Sequence, residues 1–203
     1  MPVSLIIVDD FLEEAENFRA AALRLSYPER EGEYFPGRNS VQRLALEGLE
    51  QEISAIVREP LAPLTKLPSH AKCRIALAGD DQEAKIHVDP SHWSGILYLS
   101  RPEDCRGGTE FFRHIDTGMD RVPLGPKDLA EAGFSSYEQL QREIMDRDVH
   151  DRSKWECEMI VPMKFNRLVL LRPWLFHTSG PGFGDSLENG RLVYLMFFSR
   201  APG

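Results

Sequence analysis

The sequence is poor in the residues that staple or anchor chains. Its three cysteines (Cys73, Cys105 and Cys157) are an odd count, far apart and never in CxxC spacing. That excludes a disulfide framework and a cysteine-built zinc site, and leads to the expectation of a reducing, cytoplasmic compartment. No apolar run approaches the roughly 20 residues that cross a bilayer, so no membrane role is expected. The short apolar stretch in residues 1–10 is cut off by Asp9 and Asp10 and lacks a basic flank, which reads as a strand and not a targeting segment. Basic charge is scarce as well: 24 Lys and Arg against 32 Asp and Glu give −8 and a pI near 5.3. Without a basic stripe, nucleic acid is not an expected partner. Internal repeats, low-complexity tracts and any H-x-H triplet are also absent.

What is present is ordinary globular material. The 203 residues are 42% apolar and 28% charged, and a chain of this size buries roughly 70% of its unfolded surface, enough for one real core. One domain is therefore expected over residues 1–203, with a charged helical insertion at about 113–157. Leu5 to Val8 predicts a strand, and Asp10 with Glu13 predicts a capping box opening a helix through about Leu25. Residues 27–40 read as loop. From Val41 to Val57 the apolar residues return at helical spacing. Strands are expected from Lys72, where Cys73, Ile75 and Leu77 alternate with Arg74 and Ala76, then at Lys85–Val88, Gly95–Leu99 and Thr109–Phe112. Arg106-Gly107-Gly108 predicts a hairpin turn. Helices at Pro126–Ala132 and Ser135–Asp146, the second with a Ser135/Glu138 box, precede strands at Glu158–Val161, Arg167–Leu171 and Arg191–Ser199. Helices first and many short strands afterwards indicate an α+β fold with helices on one sheet face, and a double-sheet jelly roll manages so many strand edges.

The six histidines separate by context. His70, beside prolines, and His150, in the charged insertion, read as solvated. Two others open H-x-D triplets, His87-Val88-Asp89 and His114-Ile115-Asp116. On a strand, residues i and i+2 share a face, so an imidazole and a carboxylate can converge on one ion. A histidine from another strand would complete a 2-His-1-carboxylate triad with three open positions, the arrangement that suits Fe(II). His177 is the candidate for that distal ligand, because it follows an almost wholly apolar run and precedes a small-residue loop. Standing against this is a buried histidine satisfied by a carbonyl.

The pieces also come in a recognisable order: H-V-D-P (87–90), S-G-I-L-Y-L-S (94–100), G-G-T-E-F-F (107–112), N-R-L-V-L-L-R-P (166–173), W-L-F-H-T-S (174–179) and G-R-L-V-Y-L-M-F-F-S (190–199). Together they resemble the core of the Fe(II)/2-oxoglutarate-dependent oxygenases, in look nearest the prolyl-hydroxylase-like branch. With I-I-V-D-D-F-L (6–12) and F-P-G-R (35–38), the chain also resembles an uncharacterised bacterial group of that superfamily. The resemblance implies a double-stranded β-helix with His87, Asp89 and His177 as iron ligands, and sets His114 and Asp116 outside the centre because they follow the Gly-Gly turn. It implies Arg191 as the anchor for the distal carboxylate of 2-oxoglutarate, with Tyr98 assisting. Arg suits that task through its planar fork. An internal salt bridge at Arg191 and a plain core role for Tyr98 stand as alternatives. Arg191 follows His177 at a longer interval than is usual in the family, so Arg172 or Arg200 could substitute, and the strand before the triplet lacks a tyrosine often found there. His92 and Trp93 are expected at the pocket mouth, as substrate contacts or as a structural aromatic turn.

The implied activity is hydroxylation of a small molecule or peptide side chain with release of succinate and CO2. Asp89 fills the ligand position that halogenation would need vacant. Two other readings compete: a cupin-like metalloenzyme, which the missing H-x-H counts against, and a non-catalytic jelly-roll binding module. Lids at 27–40 and 113–157 would set specificity.

Overall fold

The computed structural model describes residues 3–28, 35–80 and 85–202; residues 29–34 of the expected loop and the side chain of His150 lie outside the described residues. Two antiparallel sheets organise the chain. The large one runs β1 (Leu5–Val8), β8 (Leu168–Leu171), β5 (Trp93–Tyr98), β10 (Arg191–Arg200), β4 (Lys72–Ala76) and β2 (Arg38–Asn39), with β3 (Leu61–Pro63) also paired to β10. The small sheet is β7 (Trp155–Pro162), β6 (Gly108–His114) and β9 (His177–Thr178). An isolated bridge ties His87 to His177.

Side-chain alternation on these strands builds four layers. Along β10, Leu192, Tyr194, Met196 and Phe198 pack with Ala22 of α1 (Ala15–Leu23) and Ile53 of α2 (Leu49–Val57). The intervening Val193, Leu195 and Phe197 pack with Phe111 and Val161 of the small sheet. A third core joins Phe112, Trp155 and Phe176 to Leu129 of α3 (Pro126–Glu131), Leu140 of α4 (Tyr137–Leu140) and Ile144 in the π-helical continuation Gln141–Asp146. Arg191 has the parity of Val193, so it belongs to the face between the sheets. The expected α+β class, with helices on one face of an antiparallel sheet, agrees with this architecture. Among the described residues no helix is long and apolar enough to cross a membrane, and Cys73, Cys105 and Cys157 are free.

Several local expectations fail for identifiable reasons. The Asp10/Glu13 capping box does not form. Asp10 takes a left-handed conformation (φ 53°), and the following backbone docks on Asn166, whose Oδ1 accepts from Leu12 N–H at 2.9 Å and whose Nδ2 donates to Leu12 O at 2.8 Å. Helix α1 therefore starts at Ala15. Residues 41–48 are not helical, because their backbone bonds go elsewhere: Val41 N–H to Ser26 O at 2.8 Å and Leu44 N–H to Ala71 O at 2.8 Å. Arg106-Gly107-Gly108 is not a hairpin turn; it carries the chain from β5 in one sheet to β6 in the other. In the insertion the capping serine is Ser136, which accepts from Gln139 N–H at 3.2 Å, and not Ser135. Of the strand expected at Lys85–Val88 only the His87 bridge is present. The chain also leaves the large sheet after Leu171, so His177 stands in the opposite sheet from β8.

Gly108 starts β6 where a Cβ would lie 1.9 Å from Val161 O. Both groups are backbone, so no rotamer change relieves the clash. Gly108→Ala is expected to lose about 1–3 kcal/mol in urea unfolding. Gly79→Ala, with nothing within 4 Å, should stay within about 0.5 kcal/mol of wild type. Equal midpoints for the two variants would show that the sheet start yields freely.

Candidate metal centre

His87 N–H donates to His177 O at 2.9 Å and His177 N–H donates to His87 O at 3.1 Å. This reciprocal pair puts the two side chains on the same side of the backbone, with ring centroids 4.5 Å apart. Asp89, two residues along, reaches the same point. Its Oδ1 is 3.7 Å from His87 Nε2 and its Oδ2 is 3.4 Å from His177 Nε2; one ligand atom from each of the three falls within 4.8 Å of the others. Ligand atoms at right angles around a first-row divalent ion sit roughly 3 Å apart. Bringing both contacts of Asp89 to that spacing takes about 0.4 to 0.7 Å.

The rings are also held in the correct tautomer. His87 Nδ1 lies 2.8 Å from Lys85 O and His177 Nδ1 lies 2.7 Å from Leu175 O. A carbonyl oxygen only accepts, so each Nδ1 carries the hydrogen and each Nε2 of the neutral ring keeps its lone pair for a metal. Burial, and then the neighbouring His177, pull the His87 pKa down to about 4. Burial alone would raise the Asp89 carboxyl, but the contacts with His177, His87 and Ser94 outweigh it and keep the group ionised. At His177 burial disfavours the charged ring, and Asp89 more than compensates, raising the pKa. The site thus favours positive charge beside Asp89. A cavity of about 90 Å³ opens on the triad and is lined also by Phe35, Arg74, Ser94, Ile96 and Thr178.

Arg191 is 2% exposed, and its Nε and Nη2 have no hydrogen-bond partner among the described residues. Burial pulls its pKa below the ordinary value, opposed by Tyr98 and Glu110 nearby. The Tyr98 hydroxyl accepts from Thr109 N–H at 2.9 Å and is 2.6 Å from Thr109 Oγ1. It is therefore buried, already engaged and electrostatically linked to Arg191. The two alternative arginines are occupied elsewhere. Arg172 pairs with Glu59, bonds to His92 and lies 4.1 Å over the Trp93 ring, while Arg200 is exposed and 3.6 Å from Glu59.

Four expectations about single residues need correction. Trp93 is fully buried against the helices and not at a pocket mouth. His92 bonds to Glu59 at 2.6 Å and faces a separate surface cavity with Ser91, Ser199 and Arg200. His70 is buried and accepts from Phe197 N–H at 3.0 Å. Arg74, in the alternation read as a half-buried strand, is 8% exposed and lines the triad cavity, because both faces of β4 are covered. Ser94, Thr178 and Arg74 were not singled out as site residues. For Arg74 and Ser94 a signal was available in the parity they share with Ala76 and Tyr98, the inward-facing positions of β4 and β5.

The second triplet also draws a carboxylate cluster together: His114, Asp116 and Asp148. Here, however, Arg147 Nε and Nη2 hold Asp148 at 2.6 and 2.8 Å, Lys154 holds Asp116 at 2.7 Å, and His114 is fixed between Thr117 and Asp148. Its acids already have their cations.

The model of a family of unknown function, DUF6445, matches residues 2–198. The chain belongs to that family. No functionally curated protein matches DUF6445's present member in sequence. Among solved structures, HygX from Streptomyces hygroscopicus, with nickel, 2-oxoglutarate and hygromycin B bound, aligns over 98% of this chain and 83% of its own at 14% identity and a TM-score of 0.54. AviO1 from Streptomyces viridochromogenes Tue57 aligns over 98% and 92% at 15% identity and a TM-score of 0.50. At these identities the likeness shows a shared fold. A prolyl hydroxylase from Trichoplax adhaerens stands further off, at 10% identity and a TM-score of 0.45, with 97% and 84% covered.

The His114–Asp148–Arg147 knot, buried at His114 and Asp148 and exposed at Arg147, gives a pH-dependent expectation. The Arg147 guanidinium, helped by His114, holds the Asp148 carboxyl below its ordinary range. A depressed folded-state pKa stabilises above the unfolded value of about 3.9 and loses that contribution as pH falls through the folded value. Asp148→Asn should therefore cost about 1–3 kcal/mol at pH 7 and progressively less below pH about 4. Urea unfolding at pH 7 and pH 3 measures this; a deficit that grows with acid would contradict the assignment.

Proposed function

We propose that this member of DUF6445 is an Fe(II)/2-oxoglutarate-dependent oxygenase of hydroxylating type, built as a double-stranded β-helix jelly roll over residues 1–203. His87, Asp89 and His177 would hold the metal, and Arg191, with Tyr98 beside it, would hold the co-substrate. One observation carries the reading. Two imidazoles anchored through Nδ1, so that Nε2 is the atom each turns inward, converge with an ionised carboxylate, and a guanidinium with two nitrogens unpartnered among the described residues is buried between the same two sheets.

Each half of that observation fits the chemistry. A two-imidazole, one-carboxylate donor set with the remaining positions open is the preference of non-haem Fe(II), and two protein nitrogens plus one oxygen leave room for a chelating 2-oxo acid and O2. A buried arginine short of hydrogen bonds is costly, and a dianion such as 2-oxoglutarate brings a carboxylate to relieve it. When bound, iron with 2-oxoglutarate and O2 supplies the oxidation: substrate C–H becomes C–OH while the co-substrate leaves as succinate and CO2. The chain's own residues orient and exclude. Lys85 O and Leu175 O fix the rings, Arg191 fixes the co-substrate's far end, and Phe35, Ile96 and Phe197 keep the cavity wall apolar. HygX was crystallised with nickel and 2-oxoglutarate on the shared fold, which supports the same co-substrate class here.

Anaerobic addition of Fe(II) and 2-oxoglutarate should produce the visible metal-to-ligand charge-transfer band of the chelate, and His177→Ala should abolish it. Arg191→Ala should weaken 2-oxoglutarate binding by about 30-fold or more, the loss expected for a buried charged hydrogen-bond partner, with metal affinity unchanged. Bound metal without the band would replace the oxygenase reading with a non-catalytic metal-binding module.

A further inference from the structure

His177 belongs to the small sheet and His87 is bridged to it, whereas Asp89 sits between strands, its backbone N–H tied to Pro173 O at 3.2 Å. Its side chain is fastened by the large sheet instead. Ser94, on β5 and 2% exposed, donates from Oγ to Asp89 Oδ2 at 2.6 Å. Ser91 Oγ lies 2.8 Å from Ser94 Oγ. A hydroxyl has one hydrogen, and that of Ser94 is already given to the carboxylate, so Ser91 must be the donor to Ser94. The chain of bonds is therefore directional, running Ser91 to Ser94 to Asp89, and it ends on an anion, the acceptor that makes such bonds strong.

We infer that Ser94 is a positioning residue that holds Asp89 in one-oxygen ligation, and that Ser91 orients the Ser94 hydroxyl. This rests on the metal-centre reading above and adds to it. Ser94 takes one lone pair of Oδ2, which favours Oδ1, without a hydrogen-bond donor among the described residues, as the oxygen that ligates a metal. The distinction decides what the centre can host. Two imidazoles and one carboxylate oxygen leave three of six octahedral positions, enough for a bidentate 2-oxo acid and O2; a carboxylate binding through both oxygens leaves two, which is not enough. Ser94 also joins the two sheets at the triad, so the spacing of Asp89 from the histidines depends on it.

The test is a Co(II) titration of the metal-free protein, followed by visible absorbance, for wild type, Ser94→Ala, Ser94→Thr and Ser91→Ala, with the thermal midpoint of each metal-free protein measured alongside. Loss of an outer-shell partner typically weakens metal binding about 10- to 100-fold. Ser94→Ala is expected in that range with its metal-free melting temperature close to wild type, Ser94→Thr is expected to restore affinity, and Ser91→Ala to lose a smaller factor. A Ser94→Ala protein that binds Co(II) as tightly as wild type overturns the inference while leaving the metal centre standing. Wild type that takes up no Co(II) overturns the metal centre and this inference with it. Should Ser94→Ala fail to fold, Ser91→Ala decides, since it removes the donor without touching Asp89 or Ser94; unchanged affinity there counts against the inference.

Discussion

The pair of backbone hydrogen bonds between His87 and His177 is the constraint on which the candidate centre depends. It is a single rung of antiparallel ladder, yet it performs three tasks. It fixes the distance between two segments that are 90 residues apart in the chain. Both side chains leave it toward the same face. It also holds each segment extended, which brings the carbonyl two residues back, Lys85 O or Leu175 O, against the ring's Nδ1. The same local geometry thus occurs twice, once on each side of the rung, and selects the same tautomer twice. A metal ligand set assembled this way needs no long side chain held by its own entropy; the backbone has already ordered it.

The rest of the structure explains why a charged side chain is tolerated at Arg191. Strand β10 lies between β4 and β5 at the centre of the large sheet, the most costly position for a guanidinium. In register Arg191 faces Ala76, a small residue against which Gly37 packs closely. Two residues further on, Val193 pairs with both Arg74 and Tyr98. The inner face at this end of the sheet therefore brings together a cation and a phenol, while the outer face of the same strands is Leu, Tyr and Met against the helices.

Legibility in the sequence followed the range of the interaction involved. That His87, Asp89 and His177 could come together was readable because strand parity and motif order are one-dimensional patterns. Strands β1, β4, β5, β6, β8 and β10 could be placed for the same reason, whereas Arg191 was pointed to by the family resemblance alone. Asn166, which displaces the Asp10 helix start, acts from more than 150 positions away and leaves no trace near Asp10. Residues 41–48 have helical spacing of apolar side chains, but their N–H groups found partners at Ser26 and Ala71, a tertiary choice that overrides the period. His70 and Trp93 were misplaced because burial from a second layer cannot be read along one strand. Ser94 is a small polar residue on an inward position, and nothing but the parity of β5 marks it.

Two H-x-D triplets of the same spacing meet different fates, and charge decides which. His114 and Asp116 lie where the insertion supplies Arg147 and Lys154, so every carboxylate of that cluster is neutralised by a side chain of the protein. Such a cluster gains nothing from a metal that it does not lose from its existing pairs. Asp89 instead meets one serine hydroxyl and two imidazoles, one of them held neutral by burial. Its charge is hydrogen-bonded and oriented, with imidazole lone pairs directed at the same point. Proximity of histidine and aspartate is common to both clusters. What separates the candidate ligand set from the structural knot is whether an arginine or lysine already neutralises the carboxylates.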